Sequence, residues 1–141
     1  MRSLSYSLGA AILGSLGIWV TAGLSQVAWG DGAYLYGEAK TRDEIGKTYL
    51  VFAAAGNRLE GAIYMPYSSF DCFQGTIRDR QLVLTIADSF DGQEYRFSIP
   101  IAAAATEPNQ PPQLAGFYDL KRLSDNDQRI LKQCRQTPRS R

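Results

Sequence analysis

The stretch GAIYMPYSSFDCFQG, residues 61–75, holds four aromatic side chains, one of the two cysteines and a Pro-Tyr-Ser-Ser corner between two runs of strand character. Pro66 ends the first run because it lacks the N–H that a ladder needs. Residues 59–65 approach the corner with Leu59, Ile63 and Met65 on one face, and residues 71–78 leave it with Phe73 and Ile77 inward. Gly75 stands where a bulge or bend fits, and the two serines suit local hydrogen bonding in a turn. On this reading Cys72 faces away from Phe73 and Ile77, on the opposite side of the sheet.

The same pattern continues on both sides. Residues 47–54, with Tyr49 and Val51 on one face and Leu50 and Phe52 on the other, read as a central strand, apolar on both sides. Gly56-Asn57 turns it back into 59–65. Residues 81–87 alternate cleanly, with Leu82, Leu84 and Ile86 inward, after a tight Asp79-Arg80 turn. Asp88-Ser-Phe-Asp-Gly92 is a further turn, and 93–101 alternates Tyr95, Phe97, Ile99 and Ile101 with polar residues and Pro100. A short strand over 33–37 precedes these, and one over 114–120 follows a stiff, proline-rich loop. Ser124 with Asp127 three residues on resembles a capping box, which opens a helix carrying Leu123, Ile130, Leu131 and Cys134 on one face. Strands linked by turns, with no alternating helices, predict an all-β, mainly antiparallel fold. We expect a six- to seven-stranded meander forming a small barrel or sandwich, with one C-terminal helix.

The ends read differently. Arg2 followed by an uncharged, mostly apolar run over 8–22, then small residues at Ala28 and Gly30, fits a secretory signal peptide over 1–30, cleaved after Gly30 or nearer Ala22. A single domain over 31–135 and a disordered basic tail over 136–141 follow. Export with two cysteines predicts one disulfide, Cys72–Cys134, closing a loop of about sixty residues and contributing ~4 kcal/mol in the chain-entropy picture. Residues 31–120 carry seven basic and twelve acidic groups, whereas 121–141 carry seven basic and two acidic. That asymmetry reads as intramolecular complementarity, or as a basic tail for an anionic surface. Near-neutral overall charge and export argue against nucleic acid as a partner. No stable membrane insertion is expected once the leader is removed.

Chemistry is sparse. The chain has no histidine, which removes the commonest general base and the commonest transition-metal ligand. With both cysteines bridged, no metal site and no cofactor is expected. Carboxylates such as Asp71, beside Tyr64, Tyr67, Phe70 and Phe73, leave one enzymatic alternative, a carboxylate-dependent hydrolase acting on carbohydrate. The composition fits a binding or accessory module better, with Tyr34, Tyr36, Tyr64, Tyr67 and Phe70 as the candidate surface for a small apolar ligand or a protein partner.

The segments Ile45-Gly-Lys47, Tyr49-Leu-Val-Phe52, Gly61-Ala-Ile-Tyr-Met-Pro66 and Ser68-Ser-Phe-Asp-Cys-Phe73 together resemble a group of small exported cyanobacterial proteins of no assigned function. Ser124-Asp-Asn-Asp127 with Ile130-Leu131 and Cys134 fits the same pattern. The resemblance spans roughly 32–135. It implies one domain, export and paired cysteines, and it brings no activity and no site residues.

Overall fold

Alternation in the sequence becomes one continuous antiparallel ladder. The strands β1 (Gly32–Gly37), β2 (Tyr49–Ala55), β3 (Arg58–Tyr64), β4 (Phe70–Arg78), β5 (Gln81–Ala87) and β6 (Glu94–Ala103) follow one another, each hydrogen-bonded to the one before. The computed structural model describes residues 14, 16–19, 28–107 and 110–136. Two-residue strands β7 (Gln113–Leu114) and β8 (Tyr118–Asp119) pair with β6 and β1 and touch each other. They bring the edges together, so the eight strands form a nearly closed barrel. The single strand expected over 114–120 is divided because Gly116 adopts φ 80° and Phe117 N–H turns back to the Leu114 carbonyl at 3.2 Å.

Tight turns fix the register. Asp79 and Arg80 both take positive φ, 50° and 57°, the mirror-image geometry that matches the twist of a two-residue hairpin. Gly75 makes no bulge: it pairs regularly with Leu59 and Leu84. Its role is close approach, since a Cβ there would lie 2.8 Å from Leu84 Cδ2. Gly61 is tighter still. A Cβ there would sit 2.0 Å from the Val51 carbonyl oxygen and 2.6 Å from Phe52 Cα.

The barrel interior is filled by Leu50, Phe52, Leu59, Phe73, Leu82, Leu84, Ile86, Ile99 and Ile101, the inward set of each alternating strand. Tyr95 and Phe97 share that parity but lie 47% and 41% exposed, beyond the stretch of β6 that β7 covers. Trp29 enters the same core at 2% exposure, edge-on to Phe52 and Tyr36, and its Nε1 donates to Tyr36 Oη at 2.8 Å. Gly30 is tied in as well, its carbonyl accepting from Tyr34 Oη at 2.6 Å. Most of the leader expected over 1–30 lies outside the described residues; these last two positions belong to the barrel.

A second core lies outside the barrel wall. Helix α1 (Asp125–Gln136) sets Ile130 and Leu131 on Leu35, Tyr49, Val51, Ala62 and Tyr64, the outward residues of β1, β2 and β3. That explains why β2 is apolar on both faces: one face lines the barrel and the other carries the helix. The helix begins at Asp125, directly after the Ser124 cap that the sequence suggested. Its N-terminus is capped reciprocally, Asp127 N–H donating to Ser124 Oγ at 3.1 Å and Ser124 N–H to Asp127 Oδ2 at 2.8 Å. Cys72 on β4 faces outward as its parity requires and is disulfide-bonded to Cys134, with the Cα atoms 5.3 Å apart. Among the described residues no helix is long and apolar enough to cross a membrane. The tail beyond Gln136 lies outside them.

Candidate functional site

The corner read in the sequence is a four-residue turn. Met65 carbonyl accepts from Ser68 N–H at 3.2 Å, with Pro66 and Tyr67 between them. Proline supplies the fixed negative φ of the second position. Tyr67 takes φ 62° in the third, where a type II turn ordinarily places glycine. A non-glycine residue held there costs on the order of 1–2 kcal/mol of backbone strain. The ring gains no compensating burial, being 90% exposed. Met65, expected to continue the inward face of β3, instead lies beyond the end of that strand and is 46% exposed.

Opposite this corner stands the first turn of α1. Between them runs a groove of about 440 Å³, lined by Met65, Tyr67 and Phe70 from the corner, by Asn126 and Arg129 from the helix, and by Asp43. Arg129 is held in place by Asn126, whose Oδ1 accepts from Nη2 at 2.8 Å.

Beneath the groove lies a buried polar knot. Asp127 is 1% exposed, yet its carboxylate accepts from Tyr64 Oη, from Ser124 N–H and Oγ (both 2.8 Å) and from Arg42 Nη1 at 3.4 Å. A buried carboxylate is tolerable only when paired and hydrogen-bonded in this way. Arg42 reaches it because Tyr49 tethers the 41–44 loop, its hydroxyl donating to the Thr41 carbonyl at 2.7 Å and accepting from Glu44 N–H at 3.0 Å. Tyr49 in turn stacks on Tyr64, centroids 5.7 Å apart. Burial first, and then the hydrogen bond to Asp127, push the Tyr64 hydroxyl far above the usual phenol range, so it stays protonated at neutral pH. Both oxygens of Asp127 accept hydrogen bonds, Oδ1 from Tyr64 and Oδ2 from Ser124 and Arg42.

Of the residues expected at a binding surface, the structure gathers Tyr64, Tyr67 and Phe70 at this groove. Tyr34 and Tyr36 lie elsewhere, on the barrel-lining side. Tyr36 is fully buried and its hydroxyl donates to the Pro112 carbonyl at 2.8 Å; burial raises its pKa well above the ordinary phenol value. Asp71, the acid of the hydrolase alternative, accepts from Ser89 N–H at 2.8 Å, and Asp88 accepts from Phe90 N–H at 2.7 Å. Both carboxylates are engaged in shaping the 88–92 turn. Among the described residues no cluster of three metal-ligating side chains occurs.

Sequence reasoning missed Arg42, Asp43, Asn126 and Arg129. Only the Ser124-x-x-Asp127 spacing hinted at this region, and it announced a helix cap, with nothing to say that Tyr64 and Arg42 would converge on the same carboxylate. Comparison with protein-family models, with curated proteins and with solved structures finds no match for the chain. None of these comparisons links the chain to the small exported cyanobacterial proteins that its motif residues resemble.

Proposed function

We propose that the chain is an exported, disulfide-stabilised accessory module that docks a segment of a protein partner in the groove between the 65–70 corner and the start of α1. The observation that carries this reading is Tyr67, a fully presented aromatic ring on a backbone conformation that favours glycine. Strain retained at an exposed position with no packing return is characteristic of functional sites. Tyrosine and arginine are the side chains most enriched among binding hot spots, and methionine adapts to varied apolar partners. The groove offers Tyr67 and Met65 as anchors, with Arg129 and Asp43 able to fix the polarity of a bound segment. A protein partner is favoured over a small apolar ligand because the barrel interior, where such a ligand would sit, is packed with Trp29, Tyr36, Phe52 and Phe73. The engagement of Asp71 and Asp88 in turn geometry supports binding over hydrolysis. A disulfide is compatible with the oxidising compartment this role requires.

The test compares three forms of the full chain, wild type, Tyr67→Ala and Tyr67→Gly, as bait in the extracytoplasmic fraction, followed by titration of the purified partner. Loss of an anchor of this kind weakens binding by roughly thirtyfold, about 2 kcal/mol. Tyr67→Gly relieves the backbone, so it should lose the partner while melting no lower than Tyr67→Ala. A partner held equally by all three forms would refute the assignment of this groove.

A further inference from the structure

A second face, independent of the corner groove, is rich in basic side chains. The row Glu60, Gln74, Thr85, Arg96 crosses β3, β4, β5 and β6 on the outside of the barrel, and beside it runs Arg58, Thr76, Val83, Ser98. Arg58, Arg78 and Arg96 surround a shallow groove of about 230 Å³ with a floor of Gln74, Thr76 and Thr85. Glu60 lines this groove and also the next one, about 440 Å³, where Lys132 and Arg135 project from α1. The two grooves thus form one strip with five cationic side chains, all exposed, and a single acid. That acid is itself paired with Arg135, Nε to Oε2 at 3.9 Å, and Arg78 lies beside Asp79 at the rim, Nε to Oδ2 at 4.0 Å. Segregation of this kind is unexpected in a chain with fifteen basic and fourteen acidic residues.

We infer that this strip binds an acidic glycan, a sugar chain bearing carboxylate or sulfate groups. Adjacent strands lie about 4.8 Å apart, so Arg58 and Arg96, three strands apart, span roughly 14 Å, the reach of a few linked sugar residues. Guanidinium groups match carboxylate and sulfate geometry in pairs, and the amide and hydroxyls of Gln74, Thr76 and Thr85 suit a hydroxyl-rich chain. The strip offers no aromatic platform, which argues against a single-stranded nucleic acid. It offers no large exposed apolar anchor either, which argues against an acidic protein surface. The exposed aromatic ring of Tyr67 and the side chain of Met65 belong to the corner groove instead.

The test titrates the full-length protein with three soluble probes: an unsulfated polyuronate, neutral dextran and polyglutamate. The polyuronate should bind at low salt, with affinity falling about tenfold or more between about 0.05 M and 0.5 M salt as the charges are screened; dextran should not bind. The double substitution Arg58→Gln with Arg96→Gln, at exposed positions, should weaken polyuronate binding at least tenfold, and Lys132→Gln should weaken it less. Arg122→Gln, at the far end of the helix from Arg135, should leave it within twofold. Circular dichroism confirms that each variant is folded. Equal binding of polyglutamate, unchanged affinity in the double variant, or no polyuronate binding at low salt would each overturn the inference. Dextran sulfate as a further probe separates sulfate from carboxylate recognition. The Tyr67 variants should bind the polyuronate as wild type does, so failure of the corner groove and failure of this strip are told apart.

Discussion

Replacing Tyr64 with phenylalanine should produce a stability loss that disappears at high pH. At pH 8 the variant loses the hydrogen bond that Tyr64 donates to the buried Asp127 carboxylate. A hydrogen bond to a charged group contributes about 1.5–3 kcal/mol, so we expect a deficit near 2 kcal/mol. Above pH 10 the sign of the pH dependence works against the wild type. Tyr64 in the unfolded chain ionises near pH 10, whereas burial and the adjacent carboxylate keep it protonated in the native state well beyond that. The unfolded state then binds fewer protons than the native one, and stability falls by about 1.4 kcal/mol for each pH unit above 10. At pH 11.5 this amounts to about 2 kcal/mol, equal to the original deficit, while phenylalanine has no such penalty. Urea denaturation of wild type and Tyr64→Phe, followed by circular dichroism from pH 8 to 11.5, should show the two stabilities converging. Tyr36, also buried and also raised, should give Tyr36→Phe a similarly flattened profile. A gap between wild type and Tyr64→Phe that stays constant to pH 11.5 would mean that Tyr64 ionises alike in both states, and the account of the Asp127 knot would be wrong.

Removing the disulfide by Cys72→Ala with Cys134→Ala, which opens a loop with sequence separation 62, should cost about 4 kcal/mol, read as a shift of the urea midpoint with helix α1 the first element to lose protection from hydrogen exchange. Gly61→Ala places a methyl group against the backbone of β2, where no rotamer change can relieve it, and should destabilise by about 3 kcal/mol; a loss below about 1 kcal/mol would show that β2 and β3 can separate locally. Because Trp29 sits in the barrel core, Trp29→Ala should cost about 3–5 kcal/mol. On the export proposed above, intact-mass measurement should therefore place the mature N-terminus upstream of Trp29, nearer Ala22 than Gly30. An equally stable exported chain beginning at Asp31 would rule this out.

What the sequence made legible was whatever depends on near neighbours. The alternation of 81–87 assigned Leu82, Leu84 and Ile86 to the barrel and Val83 and Thr85 outward, and the structure keeps that order. Cys72 parity, with a bridge to Cys134, pointed the helix to the outer face or the rim of the sheet, and it lies on the outer face. Apart from the Cys72–Cys134 bridge, which the even cysteine count announced, features that rest on distant partners were not readable. Arg42 and Asp127 are 85 positions apart, and Tyr64 and Asp127 are 63 apart; no local pattern announces such meetings. Trp29 lies between the two cleavage points the sequence offers, near Ala22 and after Gly30, and no local pattern marked it as a core residue. Gly75 carried a bulge signal and a close-approach signal in the same letter. Tyr95 and Phe97 have the inward parity of β6 but remain half-exposed, since parity fixes a face and not whether anything covers it.

The order in which contacts must form has a consequence for the timing of maturation. The hairpins of β2 to β6 close over short loops, but the seam depends on Tyr36 meeting Pro112, 76 positions away, and the helix on Cys134. Contacts of such separation form late. A chain threaded N-terminus first across a membrane would carry a half-built sheet, with the Cys72 thiol unpaired, until nearly its last residues had crossed. Oxidation of the two thiols to the Cys72–Cys134 disulfide, with two electrons and two protons passing to an oxidant of the receiving compartment, would then leave a covalent record that the helix has reached the sheet.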